Sequence, residues 1–128
     1  MERMSSVDYK EKAAGLHARG CNCCQAVIMC AAEQFGLTEE QAYGLGAFFG
    51  GGMRCGEVCG AVSGALMGLG LKYGDADNRQ CGKSKEFLKA FKAAHGSILC
   101  RELLERNQKK MCPTFINFAA NYLEDELK

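Results

Sequence analysis

Four glycines, Gly56, Gly60, Gly64 and Gly68, recur at every fourth position of the sequence. That interval lays them along one narrow stripe of an α-helix. A glycine inside a helix costs about 1 kcal/mol relative to alanine. A stripe of them therefore needs compensation, and close approach of a neighbouring helix backbone is the usual source. The repeat predicts a helix from near Gly56 to about Leu71, central to the fold.

The rest of the chain carries the same helical period. Pro113 is the only proline among 128 residues, so little interrupts helices. Paired alternating runs around a tight turn, the mark of a β-hairpin, are missing. Helix one is expected from Val7 to about Arg19, capped by Ser5 or Ser6 and stopped by Gly20. Asn22 with Gln25 reads as a capping box opening helix two, which should reach Gly36. Thr38 with Gln41 opens helix three, which should fade near Phe49. Gly50, Gly51 and Gly52 then form a turn. Its candidate roles are a flexible link, an anion-binding nest, or close approach to a site. Helix five should span Ser84 to His95, with Phe87, Leu88, Phe91 and Ala94 on one face. Gly96 ends it, and Ser97 caps helix six, which carries Ile98, Leu99, Leu103 and Leu104. Lys109 and Lys110 fall in the next loop. Helix seven starts at Pro113 and buries Ile116, Ala119, Leu123 and Leu127. The expectation is an all-α bundle of six or seven helices, one domain over residues 1–128.

Apolar residues are 48% of the chain, enough for a core without cross-links, and the formal net charge is +1. That charge gives no reason to expect nucleic acid as a partner. No apolar run is long enough to insert into a membrane, and Met1 to Lys12 lacks the apolar core of a secretory signal. A cytoplasmic location is the expectation.

Nine cysteines stand out: Cys21, Cys23, Cys24, Cys30, Cys55, Cys59, Cys81, Cys100 and Cys112. In a reducing compartment such a count points to metal binding or redox chemistry rather than a disulfide framework. Cys21 and Cys24 form a C-x-x-C, and Cys55 and Cys59 a C-x-x-x-C; neither follows a zinc-finger or ferredoxin spacing. Position says more than spacing. Cys23 and Cys59 fall in the first turns of helices two and four, Cys100 three residues after Ser97, and Cys112 at the cap before Pro113. Free N–H groups and partial positive charge at helix starts favour thiolate over thiol. Thiolate is the form that binds metal and attacks disulfides. Cys30 reads as a core thiol, and Cys81 as an incidental loop residue. His17 and His95 read as surface or packing residues. Glu57 suits a helix start. Gly82-Lys83-Ser84 lacks the upstream glycine of a phosphate loop.

The segments Gly50-Gly51-Gly52-Met53 and Gly56-Glu57-Val58-Cys59-Gly60-Ala61-Val62-Ser63-Gly64-Ala65-Leu66-Met67 closely resemble the C_GCAxxG_C_C family of redox-active proteins. Asn22-Cys23-Cys24-Gln25-Ala26-Val27 looks like its first cysteine motif. Ser97-Ile98-Leu99-Cys100-Arg101-Glu102-Leu103-Leu104 and Cys112 look like its third and fourth. The resemblance runs from about Ala13 to Leu123. It implies small helical proteins with four hallmark cysteines, here Cys23, Cys59, Cys100 and Cys112, as cofactor and metal ligands. Similar domains attached to cytochromes, and neighbouring transporter genes, imply iron–sulfur or other redox work, an unidentified redox partner and a functional link to a membrane transporter. Cys24 and Cys55 depart from the pattern and stand as substitute ligands or extra redox partners, and Cys21 shares that ambiguity. Three chemistries follow: an iron–sulfur cluster for electron transfer or redox sensing, cofactor-free thiol–disulfide exchange at Cys21/Cys24 or Cys55/Cys59, and a structural zinc site.

Overall fold

The structure, a computed structural model, describes residues 8–74, 82–107 and 112–127. Seven α-helices follow in order: α1 Tyr9–Ala18, α2 Cys23–Cys30, α3 Glu39–Gly46, α4 Gly60–Tyr73, α5 Gly82–His95, α6 Cys100–Asn107 and α7 Cys112–Leu127. No strand occurs among the described residues; a single antiparallel bridge joins Val58 to Leu99. None of the described helices is long and apolar enough to cross a membrane.

Capping chemistry sets the first three helix starts. The Asp8 carboxylate accepts from the amides of Lys10 (2.9 Å) and Glu11 (3.3 Å), so α1 starts at Tyr9 with Asp8 as cap. That corrects the expected start at Val7. Val7 and the serines expected to cap it lie outside the described residues, as do Cys81, Lys109 and Lys110. Both expected capping boxes form. Asn22 Oδ1 accepts from Gln25 N at 2.7 Å, and Gln25 Oε1 accepts from Asn22 N at 2.9 Å. The Thr38–Gln41 pair does the same at 3.0 Å each way.

The ends of α2 and α3 differ more from expectation. Helix α2 stops at Cys30 and tightens into a 3₁₀ turn, Ala32–Phe35, before left-handed Gly36. Helix α3 stops at Gly46 instead of Phe49. The Asn22 amide donates to Gly46 O (3.1 Å) and Ala47 O (3.3 Å), and Arg54 also donates to Ala47 O (2.9 Å). A single π-type turn, Gly52–Gly56, follows with positive φ at Gly52, Met53, Arg54 and Gly56.

Helix α4 therefore starts at Gly60, not Gly56. Gly56 and Glu57 precede it, and Glu57 spends its carboxylate on Arg101 at 2.7 Å instead of a helix start. The stripe is then Gly60, Gly64 and Gly68. A Cβ on Gly64 would come within 2.9 Å of Cys24 O and Val27 Cβ, and one on Gly68 within 2.8 Å of a Leu123 methyl. These bare faces let α4 settle closely on α2 and α7. Helix α1 packs across α2 and α7, and α5 lies against α4.

The core joins Val27 and Ile28 of α2, Val62, Ala65 and Leu69 of α4, and Ile116, Ala119 and Leu123 of α7. Phe87 and Phe91 of α5 are fully buried against aromatic residues of α7, with Phe91 and Phe118 edge to face at 5.5 Å. Ala94, expected on that face, is exposed. His95 takes its place, with its ring 4.6 Å from Phe91 and 5.0 Å from Phe115.

Candidate four-cysteine site

Cys23, Cys59, Cys100 and Cys112 come from four separate stretches of chain. All four line one cavity of about 70 Å³, with Gly51, Leu103, Leu104 and Phe115 as its other walls. Cys23, Cys100 and Cys112 are the first residues of α2, α6 and α7, and Cys59 is the N-cap of α4. Cys59 and Cys100 are buried, while Cys23 and Cys112 are half-buried.

The bridge between Val58 and Leu99 holds two of these cysteines in register. Cys59 N donates to Ile98 O at 2.7 Å, and Cys100 N donates to Glu57 O at 2.6 Å. The bridge also moves a helix start. Ser97 Oγ accepts from Leu99 N (3.0 Å) and donates to Glu102 (2.6 Å), but α6 begins only at Cys100. Cys100 is thus at the helix start itself, not three residues into a helix capped by Ser97.

The glycine turn closes the site by approach. A Cβ on Gly50 would lie 2.5 Å from the Asn22 side chain, and one on Gly52 would lie 2.6 Å from Cys100 Cβ and from Glu57 backbone. Gly51, left-handed at φ 63°, brings its amide near enough to the Cys23 sulfur to lower that thiol's pKa. Of the three roles open for this turn, close approach is the one the structure displays.

The thiols differ sharply in electrostatics. A hydrogen bond from the Cys59 thiol lowers the Cys23 pKa to about 6, against the opposing effect of burial; the amides of Gly51, Cys24 and Cys23 add to the lowering. Cys59 moves the other way, raised by the same hydrogen bond, by burial and by the Cys23 charge. Cys100 and Cys112 are raised by burial first and by the Cys23 charge next. Cys23 is thus the most acidic of the four thiols, with the other three raised around the same cavity.

The other described cysteines face elsewhere. Cys24 is buried with its sulfur 4.0 Å from Met67 Sδ, and burial pushes it up to about 12. Cys21 reaches Met29 Sδ at 4.0 Å. Cys55 is exposed on the π-type turn and donates to Gly52 O at 3.7 Å. Cys30 is in the core, donates to Val27 O at 3.0 Å, and is raised to about 12 by burial. The substitute ligands Cys24 and Cys55 are therefore not at the cavity. Nor do the expected local pairs Cys21/Cys24 and Cys55/Cys59 carry the thiol–thiol hydrogen bond, which joins Cys23 to Cys59. His17 and His95 do not line the cavity. Among the described residues, no group of three or more His, Cys, Asp or Glu is spaced to hold a metal ion.

Sequence reasoning missed the cavity walls Leu103, Leu104 and Phe115, and the roles of Gly51 and Gly60 beside Cys23. The adjacency of Gly60 to Cys59 was the available signal, but its place in a periodic row pointed to helix packing alone.

A family model described as "Putative redox-active protein (C_GCAxxG_C_C)" matches residues 21–126. No curated protein and no solved structure matches the chain.

Proposed function

The chain belongs to the C_GCAxxG_C_C family, and from that premise we propose that Cys23, Cys59, Cys100 and Cys112 hold an iron–sulfur cluster for electron transfer or redox sensing. The observation that carries this reading is the meeting of these four cysteines at one cavity. A four-cysteine donor set is the common one for such clusters. A single zinc ion instead needs its ligands drawn around one point at about 2.3 Å. A cluster spreads its ligands over several irons. A four-cysteine set suits either group, and metal analysis separates them.

When bound, the cluster would supply one-electron transfer. The chain's own residues do the rest. Leu103, Leu104 and Phe115 give the cavity its apolar walls. The Gly51 amide and the first amides of α2 lower the Cys23 pKa, and hydrogen bonds to ligand sulfurs tune a cluster's potential. The Val58–Leu99 bridge holds the Cys59 and Cys100 backbones together.

The test is purification without oxygen or chelators, followed by the visible spectrum and assays for iron, sulfide and zinc. Iron with sulfide is expected, lost on changing any of the four cysteines to serine and retained in Cys24→Ser and Cys55→Ser. Stoichiometric zinc without iron would make the site structural and overturn the proposal.

The Cys23–Cys59 hydrogen bond favours a second reading, cofactor-free dithiol chemistry. The Cys23 thiolate would attack a small-molecule disulfide and release one thiolate. Cys59 would then displace the second thiol and leave a Cys23–Cys59 disulfide. A metal-free protein that forms this bond reversibly, by mass mapping, supports the second reading over the first.

A further inference from the structure

The three stripe glycines of α4, Gly60, Gly64 and Gly68, meet different neighbours. A Cβ on Gly68 would meet the Leu123 side chain first, and one on Gly64 would meet Cys24 O and Val27. A Cβ on Gly60 would lie 2.3 Å from Cys23 Sγ, with Cys24 N and Phe49 O each at 3.0 Å. Ordinary contact begins near 3.4 Å, so the sulfur sits about 1 Å inside the space a methyl would need. We propose that Gly60 is a positioning residue for Cys23: its bare Cα is the seat against which the Cys23 sulfur rests, directly beside Cys59 and under the Gly51 amide.

The geometry leaves little alternative. A cysteine sulfur moves by rotation about one bond. Turning it away from a methyl at position 60 takes it from Cys59 and from the Gly51 amide. Moving α4 away instead is opposed by its close fit to α2, which the 2.9 Å contacts at Gly64 record. The proposal rests on Cys23 being a working thiol of the four-cysteine site. It does not depend on whether that site serves a cluster or a dithiol.

The test uses the full chain, reduced and metal-free. Gly60→Ala, Gly64→Ala, Cys23→Ala and the doubles Gly60→Ala/Cys23→Ala and Gly64→Ala/Cys23→Ala are compared in thermal unfolding. Both glycine variants should lose at least about 5 °C of Tm. Removing the sulfur should restore most of the loss at position 60 and none of it at position 64, because only the first clash is with that atom. A second readout is Cys23–Cys59 disulfide formation under diamide, the azo oxidant that takes up the two electrons and two protons. Gly60→Ala should slow it by about a hundredfold, the scale of an atom misplaced by about 1 Å. Gly64→Ala should slow it little.

Additive effects of Gly60→Ala and Cys23→Ala would overturn the proposal. So would equal slowing of the diamide reaction by both glycine variants. If Gly60→Ala does not fold, a folded Gly60→Ala/Cys23→Ala double supports the proposal and an unfolded one overturns it. Failure of the cluster reading would appear separately, in the iron and sulfide content of the wild type.

Discussion

Cys23 and Cys59 have identical side chains at two helix starts, yet the fold divides their roles. A thiol and three amides lower the Cys23 pKa, so its charge is stabilised; Cys59 donates that thiol hydrogen bond and is itself buried. In the metal-free, reduced protein, thiolate absorbance should rise with a midpoint near the Cys23 value of about 6. Cys59→Ala should move the midpoint upward, since the Cys59 thiol is the largest cause of the lowering. An unchanged midpoint in that variant would refute the pairing. The sign for stability follows. A thiol whose folded pKa lies below its unfolded value contributes stability above the unfolded pKa, about 9, and loses it as pH falls through about 6. Cys59, raised in the fold, contributes in the opposite sense and loses its share only as pH rises. Over the lower window the Tm of the metal-free wild type should therefore fall as pH falls. In Cys23→Ser that slope should flatten.

At the scale of elements, the short segments between helices hold the site together. Asn22 caps α2 one residue before Cys23, and its amide fastens that helix start to the last carbonyls of α3. Asn22→Ala should cost about 1–2 kcal/mol in urea unfolding, from the lost cap and the stranded carbonyls. Asn22→Asp keeps the cap oxygen but loses the donor, so its cost should fall between wild type and Asn22→Ala. Equal stability of all three would show that the fastening contributes nothing. The π-type turn plays a similar part on the other side, where Gly52 admits Cys100 at a distance no Cβ would allow.

For the whole molecule, the aromatic contact between α5 and α7 ties the end that carries Cys112 into the core. Phe91 is fully buried among Phe115, Phe118 and His95, whereas Phe48 is 78% exposed. Phe91→Ala should lower unfolding free energy by about 3–5 kcal/mol. Phe48→Ala should stay within about 0.5 kcal/mol of wild type. Chemical denaturation separates the two, and similar losses would contradict the burial pattern.

The all-α class was legible because it rests on local chemistry: capping pairs at Asn22 and Thr38, a helical apolar period, and one proline placed where a helix can hold it. The motif cysteines could be named because their types and order are linear information. Where α3 ends was not legible, because the carbonyls of Gly46 and Ala47 are taken by the Asn22 side chain from the start of another helix, with Arg54 of the following turn also on Ala47. The Val58–Leu99 bridge, which delays α6 to Cys100, left no pattern that one paired residue on each side could show. The glycine row was visible as a period, but its members look alike until the fold gives each a neighbour: a thiol for Gly60, a backbone carbonyl for Gly64, a leucine for Gly68. Periodicity and caps act within a few residues and can be read along the chain. Which sulfur faces which amide depends on atoms brought together from separate helices, and only the tertiary structure decides it.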